Sequence, residues 1–179
     1  GELLIDKGII TADELREQIE VQDSRSPAEG AKLIARAWTD PDFKAKFMAD
    51  VNAAAESVGV PAGDIPIRAV ENTPDVHNVI VCTLCSCYPR GLLGVPPDWY
   101  KSRAYRSRTV REPRAVLAEF GTELPDDLEV RVHDSTADLR YIVLPMRPEG
   151  TESMDEAALE ALVSRDCMIG VSLPRTPKA

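Results

Sequence analysis

The sequence changes character at residue 60, and that change limits the fold more than any single motif. Up to Gly59 the pattern is helical and poor in strand formers; from Val60 onward, prolines at 61, 66 and 74 interrupt helices and short β-prone runs appear. Thr11-Ala12-Asp13-Glu14 fits a capping box, in which a hydroxyl and a carboxylate each accept an orphan backbone amide, and Leu15, Ile19 and Val21 follow it. Ser26-Pro27 and Asp40-Pro41 each set a cap residue before a proline suited to the first helical position. Phe43, Phe47, Val51 and Val58 then recur at spacings of four or seven, one apolar stripe that ends at Gly59. Large apolar residues are few for this length. The helices are therefore expected to pack on something else, a partner subunit being favoured over the chain's own C-terminal part.

Beyond residue 60, Ile67 to Val70 and Val76 to Val81 read as strands, the second running directly into a cysteine cluster. Asp98 to about Ser107 and Pro113 to Phe120 read as helices, the latter stopped by Gly121. Leu128 to His133 and Tyr141 to Leu144 look like strands. Ser153-Met154-Asp155-Glu156 is a second capping box, opening a helix to about Ser164, and Met168 to Leu173 reads as a final strand. The expected class is α+β: a helical N-terminal arm over residues 1–59, in contact with a partner, followed by a compact layered α/β domain over residues 60–179 that holds the chemistry.

With 179 residues, 44% of them hydrophobic and 28% charged, the chain suits one core plus an accessory segment. A net charge of -9 and a pI near 4.8 argue against a nucleic-acid partner, because phosphate contact needs clustered Lys and Arg. No apolar run approaches the roughly 18 residues needed to cross a bilayer, and no signal-peptide order stands at the start, so no membrane association and a cytoplasmic location are expected. A chain that opens on Gly1 leaves a longer natural N-terminus open. Of the four cysteines, three fall between positions 82 and 87 and the fourth is Cys167. Cys85 and Cys87 are too close in sequence for ordinary disulfide geometry, which leaves metal binding or thiol redox chemistry.

A zinc site usually takes four ligands from two separated pairs, yet Cys82 and Cys85 form one C-x-x-C without a second. His77 could complete a Cys₃His set, although on a strand it reads better as a packed histidine, and Cys167 reads as a buried small residue. Cys85-Ser86-Cys87 offers something else. If the amides of Ser86 and Cys87 lose their protons, two sulfurs and two nitrogens close one six-membered and two five-membered chelate rings, with bond connectivity alone fixing those sizes. Cys82 can then supply an axial sulfur and leave a sixth octahedral position open. Three thiolates and two amidates carry five negative charges, which favours a trivalent transition metal and calls for cations nearby. Arg90 is the nearest in sequence, and others can come from another chain. Electron-rich thiolates beside a redox metal are also candidates for oxidation to sulfenic and sulfinic acids, which hydrogen-bond well to arginine.

The flanks of the cluster sharpen this reading. Val81-Cys82-Thr83-Leu84-Cys85-Ser86-Cys87, followed by Leu93-Gly94-Val95-Pro96-Pro97-Asp98-Trp99-Tyr100-Lys101-Ser102, closely resembles the α subunit of nitrile hydratases, in a family shared with the metal subunit of thiocyanate hydrolase. The likeness continues through Val110-Arg111-Glu112-Pro113-Arg114, Arg140-Tyr141-Ile142-Val143-Leu144-Pro145 and Arg147-Pro148-Glu149-Gly150-Thr151-Glu152 to Ile169-Gly170-Val171.

The resemblance implies a metal held by Cys82, Cys85, Ser86 and Cys87. Cys82 would be the axial thiolate, Cys85 a sulfinate and Cys87 a sulfenate, with Ser86 and Cys87 giving their amide nitrogens. Cys87, Cys85 and Ser86 are accordingly the expected catalytic residues. Thr83 inside the cluster points to Co(III) over Fe(III). The family is hetero-oligomeric, so a β subunit or separate β-like subunits are expected to bring arginines to the oxidised sulfurs. Many members carry a tryptophan three places after the last cysteine, where this chain has Tyr88-Pro89-Arg90; a heteroaromatic nitrile such as toyocamycin would suit that change. Trp99 and Tyr100 read as packing beside the metal loop rather than a substrate platform, and Arg147 as a surface or interface salt bridge.

The implied reaction is hydration of a nitrile to its primary amide, by attack either of water or of the oxygen on oxidised Cys87. Hydrolysis of thiocyanate and a non-catalytic zinc or thiol interaction module are the alternatives.

Overall fold

Helix starts follow the caps in the sequence. The structure is a computed structural model that describes residues 2–177, without the side chains of residues 2 and 21–23, so the expected apolar placement of Val21 lies outside it. A short α1 (Glu2–Asp6) precedes α2 (Ala12–Ser24). The second is opened by a reciprocal pair: the Thr11 amide donates to Glu14 Oε2 at 2.7 Å and the Glu14 amide to Thr11 Oγ1 at 3.1 Å. Ser26 caps α3 (Pro27–Thr39), and Asp40 caps α4 (Pro41–Ala49) by accepting the Phe43 amide at 2.9 Å. The predicted apolar stripe does not run as one helix. Asp50 is extended, accepts the Ala53 amide at 3.0 Å and starts α5 (Val51–Glu56), while Phe43, Phe47 and Val51 remain buried in one core.

The strands β1 (Ile67–Glu71), β2 (Val76–Val81), β3 (Glu129–Asp134) and β4 (Arg140–Leu144) form two parallel pairs. β1 pairs with β4 from Ile67↔Arg140 to Glu71↔Leu144, and β2 with β3 from Val76↔Glu129 to Val81↔Asp134. A parallel pair needs a long crossover. The one joining β2 to β3 contains α6 (Arg90–Leu93), α7 (Asp98–Lys101), α8 (Arg103–Thr109) and α9 (Pro113–Glu119). The helix expected from Asp98 to Ser107 is thus split at Ser102, which is extended and caps the second piece by accepting the Tyr105 amide at 3.1 Å.

Two helices close the described chain. Asp155, not Ser153, caps α10 (Glu156–Glu160). The expected strand from Met168 to Leu173 is instead the end of α11 (Arg165–Ile169) followed by a turn. Its apolar, β-prone composition is overridden by a cap: Ser164 Oγ accepts the Cys167 amide at 3.2 Å, and the Ser164 amide donates to Cys167 Sγ at 3.2 Å. Gly170 then ends the helix in the left-handed region at φ 92°, where a side chain would strike the Asn78 carbonyl 2.0 Å away.

One core holds both halves of the sequence. Leu33, Ile34, Phe47 and Val51 from α3–α5 are buried together with Val79, Ile80 and Val81 of β2 and Ile142, Val143 and Leu144 of β4. Leu3, Leu4, Ile9 and Ile19, in α1, α2 and their connection, are exposed. Among the described residues no helix is long and apolar enough to cross a membrane.

Candidate metal centre

β2 delivers the cysteine cluster at its carboxyl end, the side on which parallel sheets present their sites. Its run Val79-Ile80-Val81 is fully buried, so the strand is held rigidly up to the point where Cys82 leaves it. Four contacts then fix the loop backbone. Tyr105 donates its hydroxyl to the Ile80 carbonyl at 2.6 Å, and the Ser135 amide donates to the Val81 carbonyl at 2.7 Å. Asp134 accepts from both the amide and the hydroxyl of Thr83, at 2.9 and 2.5 Å. Tyr100 donates to the Cys87 carbonyl at 2.8 Å.

Beneath the loop lies an aromatic pedestal. Tyr88 packs edge-on to Tyr100 with centroids 5.1 Å apart, and Trp99 packs edge-on to Tyr105 and Phe120 at 4.9 and 4.7 Å. Tyr100 is fully buried, so Trp99 and Tyr100 support the loop, as their sequence context suggested.

The sulfurs of Cys82, Cys85 and Cys87 all lie within 4.8 Å of one another and can hold a metal ion together. Cys82 Sγ stands 3.5 Å from Cys85 Sγ, which stands 3.3 Å from Cys87 Sγ. With metal–sulfur bonds of about 2.3 Å, sulfurs at right angles are separated by about 3.3 Å and tetrahedral ones by about 3.8 Å. The Cys85–Cys87 spacing matches the right-angle value and the Cys82–Cys85 spacing lies between the two, and three soft donors suit a transition metal.

The thiols differ in acidity. Cys85 is exposed and lowered to about 7, first by its hydrogen bond with Cys87, then by the Ser86 amide and by Cys82, with the Cys87 amide adding to the same effect. Cys87 is pushed up to about 12, first by burial and then by the other two sulfurs, with Arg140 pulling it down.

A cavity of about 570 Å³ opens beside Cys85, Ser86 and Cys87. Arg25, Arg90 and Arg140 line it, together with Tyr88. Among the described residues, Arg25 Nε, Arg140 Nη1 and the Tyr88 hydroxyl are buried without a hydrogen-bond partner.

Other residues singled out in the sequence lie elsewhere. His77 is buried and uses both ring nitrogens away from the cluster, Nε2 on the Gly170 carbonyl at 2.7 Å and Nδ1 on Asn72 at 3.3 Å. Cys167 is buried in its helix cap. Arg147 makes no salt bridge of the expected kind among the described residues; it staples the Trp38 carbonyl to Thr151. Conversely, Asp134, Tyr105, Arg25 and Arg140 carry no local sequence signal of a role at the cluster, because each reaches it through tertiary pairing.

A loop that gathers three cysteine sulfurs at the end of a parallel strand pair, above an aromatic pedestal and beside a cationic cavity, defines a candidate sulfur-ligated metal site. Similarity to known proteins narrows that class. The model of the nitrile hydratase alpha chain matches residues 1–172. The low-molecular weight cobalt-containing nitrile hydratase subunit alpha of Rhodococcus rhodochrous is 51% identical over 178 residues, covering 98% of this chain and 86% of that one. Among solved structures, a recombinant thiocyanate hydrolase with partially modified cobalt centres superposes with a TM-score of 0.92 at 43% identity, covering 97% of this chain and 86% of that one. A mutant Fe-type nitrile hydratase from Comamonas testosteroni Ni1 gives 0.88 at 45% identity, with coverage of 98% and 86%. The chain belongs to the nitrile hydratase α-chain family, a family of enzyme subunits.

Proposed function

We propose that this chain is the catalytic, cobalt-bearing α subunit of a nitrile hydratase, which adds water to a nitrile to give the primary amide. The observation that carries this reading is three cysteine sulfurs gathered within 4.8 Å of one another at the wall of a ligand-sized cavity. Cys82, Cys85 and Cys87 would hold the metal with their sulfurs, Ser86 and Cys87 with their amide nitrogens. A bound trivalent cobalt supplies Lewis acidity and lowers the pKa of a nearby water.

The chain's own residues do the rest. Tyr100, Tyr105 and Ser135 pin the backbone on either side of the cluster, so the donors meet in one arrangement. Oxidised Cys87 presents an oxygen to the nitrile carbon, as nucleophile or as the acceptor that orients the attacking water. Arg140 sets positive charge beside Cys87. The three polar groups left without partners in the cavity wall call for hydrogen-bond acceptors, which supports a site completed by a second chain, a β subunit or β-like subunits.

Arg25, Arg90 and Arg140 favour a substrate with a hydrogen-bond acceptor beyond its nitrile, heteroaromatic nitriles such as toyocamycin included. The same cationic lining favours a second reading, hydrolysis of thiocyanate, which is an anion. Turnover of aliphatic nitriles, heteroaromatic nitriles and thiocyanate by the matured complex tests both. Amide formation is expected; ammonia and carbonyl sulfide from thiocyanate, with nitriles left intact, would replace the first reading by the second.

A further inference from the structure

We propose that Asp134 is a positioning residue for the metal loop, holding Thr83 with both carboxylate oxygens and thereby setting where the Cys82 and Cys85 sulfurs stand. The inference rests on the cluster being the metal site. Asp134 is the last residue of β3 and pairs in register with Val81, the last residue of β2. The ladder continues one step further, from the Ser135 amide to the Val81 carbonyl at 2.7 Å. Strand register thus carries a carboxylate alongside the residues that leave β2.

Both of its oxygens are used on one residue, at 2.9 Å from the Thr83 amide and 2.5 Å from the Thr83 hydroxyl. Cys82 therefore has a fixed neighbour on each side, Val81 held through its carbonyl and Thr83 held through amide and side chain. The placement is passed on, because the Cys85 amide donates to Cys82 Sγ at 3.2 Å. On the far side of the turn, the Arg106 guanidinium reaches the Thr83 carbonyl at 3.4 Å.

Electrostatics alone would place no carboxylate here. Like charges repel, and the proposed donor set is already anionic. A carboxylate kept beside it in spite of that repulsion points to a geometric role. Asp134 is also exposed, so its removal takes little from the packed core. Metal retention and overall stability should therefore separate.

The test uses the matured complex with its partner chains, comparing the wild type with Asp134→Ala, Asp134→Asn, Thr83→Val and the Thr83→Val/Asp134→Ala double variant. Readouts are cobalt per chain, the visible thiolate-to-metal absorption, the rate of cobalt loss to excess chelator, and melting temperature. Loss of a hydrogen-bond partner behind metal ligands typically weakens metal binding about 10–100-fold. Asp134→Ala should accelerate cobalt loss on that scale and shift the absorption band while melting within a few degrees of the wild type. Asp134→Asn, which keeps an acceptor for the amide, should fall between. The double variant should be no worse than Asp134→Ala, since both remove the same contact. Cobalt loss and spectrum unchanged in Asp134→Ala would overturn the proposal while leaving the metal reading intact. A wild type without bound transition metal would overturn both. Should Asp134→Ala not fold, Thr83→Val decides: faster loss supports the clamp, an unchanged rate refutes it.

Discussion

Cys85 and Cys87 stand two positions apart, yet their environments drive them in opposite directions: one exposed and supported by amides, the other buried behind it. In the metal-free state, alkylation should strike Cys85 first, its rate rising with pH through about 7 as the thiolate forms, with Cys87 protonated and slow over the same range. Peptide mapping after iodoacetamide treatment at stepped pH checks the order. In the matured enzyme, Cys87→Ala is expected to abolish turnover even where some metal is retained, and nitrile hydration by that variant would refute the role given to Cys87. The cysteine cluster was legible because Cys82, Cys85 and Cys87 fall within six residues, so one loop brings their sulfurs together. Asp134 lies 51 residues from Thr83, and Tyr100 lies 13 from Cys87; nothing local to either announces the contact.

Between the two strand pairs runs a buried polar chain. A carbonyl only accepts, so His77 Nε2 carries the proton toward Gly170, and Nδ1 accepts from the Asn72 amide nitrogen. Asn72 Oδ1 accepts from both the backbone and side-chain nitrogens of Asn78, whose own Oδ1 accepts from His133 Nε2. With Nδ1 accepting, His77 completes this chain only as the neutral imidazole, whereas His133 donates from Nε2 in either protonation state. Burial lowers the pKa of each below its ordinary 6.5, and for His133 the Arg131 charge adds to it. A histidine kept neutral by the fold contributes stability that is present above about 6.5 and is lost as pH falls through the depressed folded value. His77→Gln should therefore flatten the fall in melting temperature between pH 7 and 5, on the order of the window set by an ordinary histidine. Gly170→Ala should destabilise by about 3 kcal/mol or more in denaturant melts, since both its φ of 92° and the Asn78 carbonyl oppose a side chain. At this scale the sequence was read best at helix starts, where Thr11, Ser26 and Asp40 act on residues two or three ahead. It was read worst at Met168 to Leu173, where β-prone residues are claimed by a local cap and by packing behind β2.

Across the whole molecule, the apolar surface is unevenly covered. Phe43, Phe47 and Val51 are sealed within the shared core, whereas Leu3, Leu4, Ile9 and Ile19 lie open along the first 24 residues. On our reading a partner chain covers them. Removing residues 1–24 should then leave the melting temperature of the isolated chain within a few degrees while abolishing assembly, as read by light scattering of the co-expressed subunits. The stripe from Phe43 to Val58 signalled burial without naming its partner, because amphipathicity says that a face is covered and not by what. On the proposed reading, three sulfurs and two amides of this chain hold a trivalent metal in an enzyme. Elemental analysis of the matured complex, combined with intact-peptide mass spectrometry of the segment containing Cys82, Cys85 and Cys87, tests it most directly. One cobalt per chain is expected, with two oxygens added on Cys85 and one on Cys87. One zinc per chain with all three sulfurs unmodified would contradict it.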